Sequence, residues 1–207
     1  MIMHTKQVVA AGKPLSEADS AIIMIHGRGA DAAGILSMAE YLPVKEFAQL
    51  APQATNHTWY PYSFLAPVEE NEPWLSSAIR VLDEMVNDVM SAGIKKEHLY
   101  FLGFSQGACL TLEYTARRAS RYGGVIAFTG GLIGADIDTS NYGGDFNQTP
   151  IFIGSSDPDP HVPATRVLAS AAILRSMNAA VTDKIYKGMG HTISEDEIQQ
   201  VKKMMFA

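Results

Sequence analysis

The most restrictive feature of this 207-residue sequence is a set of short runs in which nearly every residue is apolar. Ser20-Ala21-Ile22-Ile23-Met24-Ile25 is the first of them. Leu99-Tyr100-Phe101-Leu102, Val125-Ile126-Ala127-Phe128 and Pro150-Ile151-Phe152-Ile153-Gly154 follow. A strand with one face in water alternates apolar and polar residues, so an unbroken run needs cover on both faces, as in a parallel sheet. Helical patterns lie between the runs. Asp31 to Leu42 places Ile35, Met38, Ala39 and Leu42 on one side. From Pro73, well placed at a helix start, a stripe runs through Leu75, Ala78, Ile79, Leu82, Met85, Val86 and Val89 until Gly93 ends it. Further helices are expected from Ser105 to about Arg118, from Ala164 to Asn178, and after a capping box at Ser194 and Glu197. Lys6–Ala10 reads as an edge strand, with Phe47–Ala51 and Val181–Tyr186 as two more. Strands alternating with helices predict an α/β fold with a mainly parallel sheet and helices on both faces. No repeat or low-complexity linker divides the chain, so residues 1–207 are read as one domain.

Composition excludes several classes of function. A net charge of -6 provides no basic face for nucleic acid or anionic lipid. No run approaches the roughly 18 apolar residues of a membrane span, and Met1 to Lys6 lacks a signal-peptide core. The single cysteine, Cys109, fits a reducing compartment and a buried thiol. The expected location is cytoplasmic.

In parallel sheets, ligands sit beyond the carboxyl ends of the strands, and the chemistry-bearing residues of this chain fall there. His26 follows one apolar run, Ser105 another, Asp157 a third and His191 the last strand. Ser105 lies in Gly103-Phe104-Ser105-Gln106-Gly107, a G-x-S-x-G between strand and helix. In that context the serine is held on a sharp turn with its hydroxyl exposed, and a Cβ at either glycine would collide with a neighbour. A serine needs a base, and the base needs an orienting acid. The order Ser105, then Asp157 or Asp159, then His191 supplies both. Asp157 is the expected acid because it lies nearer the strand end; Asp159 would then bind a loop amide or start the next helix. The amides of Gln106 and of Arg28, in His26-Gly27-Arg28-Gly29, are the expected oxyanion donors. His26 is expected to be a buried residue tying down that loop. His4, His57, His98 and His161 have no metal-like spacing and read as surface or loop residues, so no metal site is expected. Trp59 to Phe64, in a long connection, form a candidate pocket wall with core packing as the alternative.

With these pieces together the chain resembles the phospholipase/carboxylesterase family of small α/β-hydrolases, which includes bacterial carboxylesterases and acyl-protein thioesterases. The resemblance rests on His26-Gly27-x-Gly29, Gly103-Phe104-Ser105-Gln106-Gly107, the segment from Asp157 to Val162-Pro163, and Gly190-His191. It implies the α/β-hydrolase fold without a large cap domain, and hydrolysis of esters, thioesters or lysophospholipids through an acyl-serine with no cofactor. A homodimer is an option for the assembly. Two departures stand out. Arg28 replaces an apolar residue, and its guanidinium could receive a substrate carboxylate or phosphate, or else face solvent or pair with Asp31 or Glu69. The Asp157-to-Val-Pro segment is two residues longer than usual. The alternatives are a dienelactone-hydrolase-like enzyme, a group that usually carries cysteine where this chain has Ser105, and a non-catalytic ligand-binding protein on the same fold.

Overall fold

The computed structural model describes residues 3–207; Met1 and Ile2, part of the N-terminal stretch considered above, lie outside the described residues. Seven strands form one sheet: β1 Val8–Gly12, β2 Ala21–Ile25, β3 Ala48–Pro52, β4 Leu99–Phe104, β5 Gly124–Phe128, β6 Pro150–Asp157 and β7 Ala180–Lys187. Their order is β1-β3-β2-β4-β5-β6-β7. β1 pairs antiparallel with β3 and every other pairing is parallel. The helices are α1 Ala32–Leu36, α2 Trp74–Ser91, α3 Gln106–Arg117, α4 Ala164–Ser176 and α5 Glu195–Met205. This is the α/β-hydrolase fold, without a large cap domain.

The apolar runs are apolar because both faces are covered. Along β2, Ala21, Ile23 and Ile25 enter a core built with α2, α3 and α4, while Ile22 and Met24 enter a second core with α1 and α5. All five are fully buried. Each large side chain so placed contributes about 1.5–3 kcal/mol relative to exposure. Helix α2 buries the predicted stripe, and Gly93 (φ +95°) closes it: Ile94 N–H donates to Val89 O and Gly93 N–H to Met90 O, a Schellman arrangement.

Three local expectations need correction. β1 starts two residues later than expected. The helix expected over Asp31–Leu42 is a five-residue helix capped by Asp31 and followed by a 3₁₀ turn, Ser37–Tyr41. There the Ser37 hydroxyl donates to Gly34 O and competes for the helical carbonyl. β6 does not stop at Gly154: Ser155, Ser156 and Asp157 continue the ladder against Ile185, Tyr186 and Lys187 of β7. That extension makes Asp157 part of the ladder, paired with Lys187. Among the described residues, no helix is long and apolar enough to cross a membrane.

Candidate active site

Ser105 sits where β4 turns into α3, with φ +55° and ψ −120°, a backbone conformation that few side chains adopt. Two glycines make the turn possible. A Cβ on Gly103 would lie 2.3 Å from Gly107 O, and one on Gly107 would lie 2.1 Å from Ile25 O in β2. Helix and sheet therefore approach more closely than any side chain permits. Ser105 N–H donates to Phe128 O of β5 at 3.0 Å, which anchors the turn to the neighbouring strand.

The end of β6 positions His191. Gly188 N–H donates to Asp157 O at 3.0 Å, and Gly190 N–H donates to Ser156 Oγ at 2.9 Å. Both glycines have positive φ, so the turn after β7 folds the histidine back over the strand ends. Three residues on, Ser194 and Glu197 form the predicted capping box, which fixes the start of α5. His191 Nε2 lies 2.9 Å from Ser105 Oγ, and its Nδ1 lies 2.9 Å from Asp159 Oδ2.

The carboxylate on the ring is thus that of Asp159, not Asp157. Asp157 is the last residue of β6 and exposed; it steadies the histidine turn through its carbonyl, not its side chain. Asp159 has a side chain 0% accessible and uses both oxygens: Oδ1 accepts the amides of His161 and Val162, each at 2.8 Å, and Oδ2 accepts His191 Nδ1–H. Binding loop amides and orienting a histidine are not alternatives for Asp159, since a carboxylate has two oxygens and here does both. Burial works against its charge, yet these three donors hold its pKa below the usual value. An ionised carboxylate only accepts, so the His191 proton resides on Nδ1 and Nε2 is left to accept from the serine. The signal was in the sequence: counted back from Val162-Pro163, the two surplus residues vanish if the acid is Asp159.

Arg28 and Gln106 line the same cleft as His191, and their amides donate to no protein acceptor among the described residues. The Arg28 guanidinium neither pairs with Asp31 or Glu69 nor points away. Its Nη1 donates to Pro61 O at 2.8 Å, and its Nη2 donates to Tyr60 O at 2.9 Å and to Tyr62 O at 2.7 Å. Trp59 is not a pocket wall either. It is fully buried, and its indole N–H donates to His26 O at 2.9 Å, bracing the end of β2. The wall comes from its neighbours: Tyr60, Tyr62, Phe64 and Leu65 line a cleft of about 690 Å³ together with Ser105 and Val162.

His26 is fully buried as expected; Nδ1 donates to Gly27 O at 2.7 Å and Nε2 accepts Ala54 N–H at 3.1 Å. His4, read as a surface or loop residue, is also fully buried, with Nε2 donating to Trp59 O at 2.8 Å and Nδ1 accepting Thr55 N–H at 3.2 Å. Burial lowers the pKa of both rings. His161 lines the cleft, its ring centroid 5.1 Å from that of His191. Among the described residues, no cluster of three His, Cys, Asp or Glu side chains is arranged to hold a metal ion.

Comparison with known proteins agrees with this architecture. The family model for phospholipase/carboxylesterase matches residues 4–206. The chain is 26% identical over 226 aligned residues to acyl-protein thioesterase 1 of Kluyveromyces lactis, covering 99% of this chain and 97% of the relative. A solved phospholipase/carboxylesterase from Dyadobacter fermentans is 54% identical, with a TM-score of 0.98 over 100% of this chain and 99% of that one. The Bacillus cereus carboxylesterase, at 18% identity, shares the fold with a TM-score of 0.76 over 96% of this chain and 92% of its own.

Proposed function

The chain belongs to the phospholipase/carboxylesterase family and is an esterase-type hydrolase; from that premise we propose that it cleaves carboxylic esters or thioesters through an acyl-serine on Ser105. The observation that carries the proposal is the continuous hydrogen-bonded line from Ser105 Oγ through His191 to Asp159. In this reading His191 Nε2 takes the hydroxyl proton as Oγ attacks the substrate carbonyl, and Asp159 stabilises the imidazolium that forms. The Arg28 and Gln106 amides receive the oxyanion; one such donor is worth about 3 kcal/mol. The imidazolium then protonates the leaving alkoxide or thiolate, and a water repeats the sequence to release the acid. The cleft, open and walled by Tyr62, Phe64, Leu65 and Val162, suits small or extended acyl groups.

A fluorophosphonate probe tests the proposal. Stoichiometric labelling of Ser105, abolished in Ser105→Ala and His191→Ala, is the expected result. Absence of labelling in the folded wild-type chain would remove the nucleophile and the reading with it. Aryl esters from acetate to decanoate, run beside a thioester, then define the acyl preference.

A further inference from the structure

The carbonyl of Tyr60 is a junction. It accepts Arg28 Nη2 at 2.9 Å, Gln106 Nε2 at 2.8 Å and Thr58 Oγ1 at 3.1 Å, more donors than its two lone pairs call for. Two of the three come from Arg28 and Gln106, the residues assigned above as oxyanion donors, which line the cleft with Ser105. The Gln106 side chain grips the same segment a second time, its Oε1 accepting Trp59 N–H at 2.9 Å. Arg28 adds the next two carbonyls, Pro61 O and Tyr62 O. The loop after β2 is stitched to this segment from the other side as well: Gly29 N–H donates to His57 O at 2.8 Å, and His57 Nδ1 donates to Ala30 O at 2.8 Å.

From this geometry we infer that the Arg28 side chain is a positioning group. It locks the segment from Thr58 to Tyr62 to the loop after β2, so that the oxyanion amides and the aromatic wall form one pre-organised unit. The inference rests on the hydrolase reading above and deepens it. A guanidinium suits the task because its rigid fork presents several donors in one plane to several acceptors. Committed to three carbonyls, it does not offer its Nη1/Nη2 fork to a substrate anion, because that fork already faces the backbone. The expected consequence of its loss is a looser Arg28 amide, and weaker stabilisation of charge that develops only in the transition state.

The test compares wild type with Arg28→Lys and Arg28→Met on a neutral and an anionic aryl ester. Inhibition by an alkyl trifluoromethyl ketone is measured in parallel, since its tetrahedral adduct places an oxyanion on the same amides. Because Arg28 is exposed, both variants should fold, and thermal unfolding checks this. A loss of about tenfold in kcat is expected, a fraction of the 10²–10³ that follows removal of a whole donor, with KM little changed. The loss should be alike for both esters and both variants, and the ketone Ki should rise in step. Two results would overturn the inference: Arg28→Lys matching wild type while Arg28→Met loses only the anionic ester, or both variants keeping kcat and Ki within twofold. If wild type itself fails to be labelled at Ser105, the hydrolase reading fails; if it is labelled and the variants are unchanged, only the positioning role fails.

Discussion

Exchanging each aspartate for asparagine separates the two candidates for the triad acid. At position 159 the geometry allows an amide only one satisfactory orientation. Its oxygen must face the His161 and Val162 amides, because both are donors. Its NH₂ is then directed at His191 Nδ1, where Asp159 Oδ2 now accepts. A donor there forces the ring proton onto Nε2, and Nε2 can no longer accept from Ser105 Oγ. Asp159→Asn should therefore lower kcat by about 10⁴, the loss seen when a serine-protease triad is placed in the wrong tautomer, or about 5.4 kcal/mol of barrier. Asp157→Asn should stay within twofold, since that exposed side chain makes no hydrogen bond among the described residues. Initial rates on a short aryl ester decide the matter, with circular dichroism confirming that both variants fold. Asp159→Asn within tenfold of wild type, or Asp157→Asn a thousandfold down, would refute the argument.

Acid should destabilise the fold through His4 and His26. Their folded pKa values lie below the unfolded value of about 6.5, so the stability they contribute is complete above that pH. It is lost as pH falls from there toward the lowered folded values. Tm should drop between pH 7 and pH 5, and a flat profile would count against neutral rings accepting the Ala54 and Thr55 amides. In the aromatic segment, Tyr62→Ala should alter acyl-chain preference, because Tyr62 is 57% exposed and lines the cleft. Trp59→Phe should leave the preference alone and lower Tm, having removed the donor to His26 O; the aryl ester series reads both. Gly107→Ala should cost about 3 kcal/mol or more in denaturant unfolding, at or above the usual range for overpacking, since backbone carbonyls cannot move aside as side chains can.

Much of the sheet was legible because full burial leaves a mark that local reading detects. Ile22 to Ile25, short and rich in β-branched residues, reads as a strand covered twice, and the glycines around Ser105 announce the close contact that their structure contains. The stripe on α2 is legible for the same reason, since its period is set by one helix facing one core. What was not legible depended on partners distant in the chain. Nothing within Tyr60 to Tyr62 declares that its carbonyls will be taken by Arg28, about thirty residues earlier. Nothing in the first residues declares that His4 will meet Trp59.

The contact of Asp159 rather than Asp157 with His191 has the same origin. Gly154-Ser155-Ser156 has weak strand propensity, so a local reading ends β6 at the glycine and leaves Asp157 as the first well-placed carboxylate. The strand continues because β7 is long enough to pair with it, through Asp157 and Lys187. Once paired, Asp157 belongs to the ladder, and the chain turns toward His191 only after it. The length of an edge strand thus decides which of two aspartates reaches the imidazole. A local argument about such an acid is safer when it counts back from the loop amides that hold the carboxylate than forward from an apparent strand end.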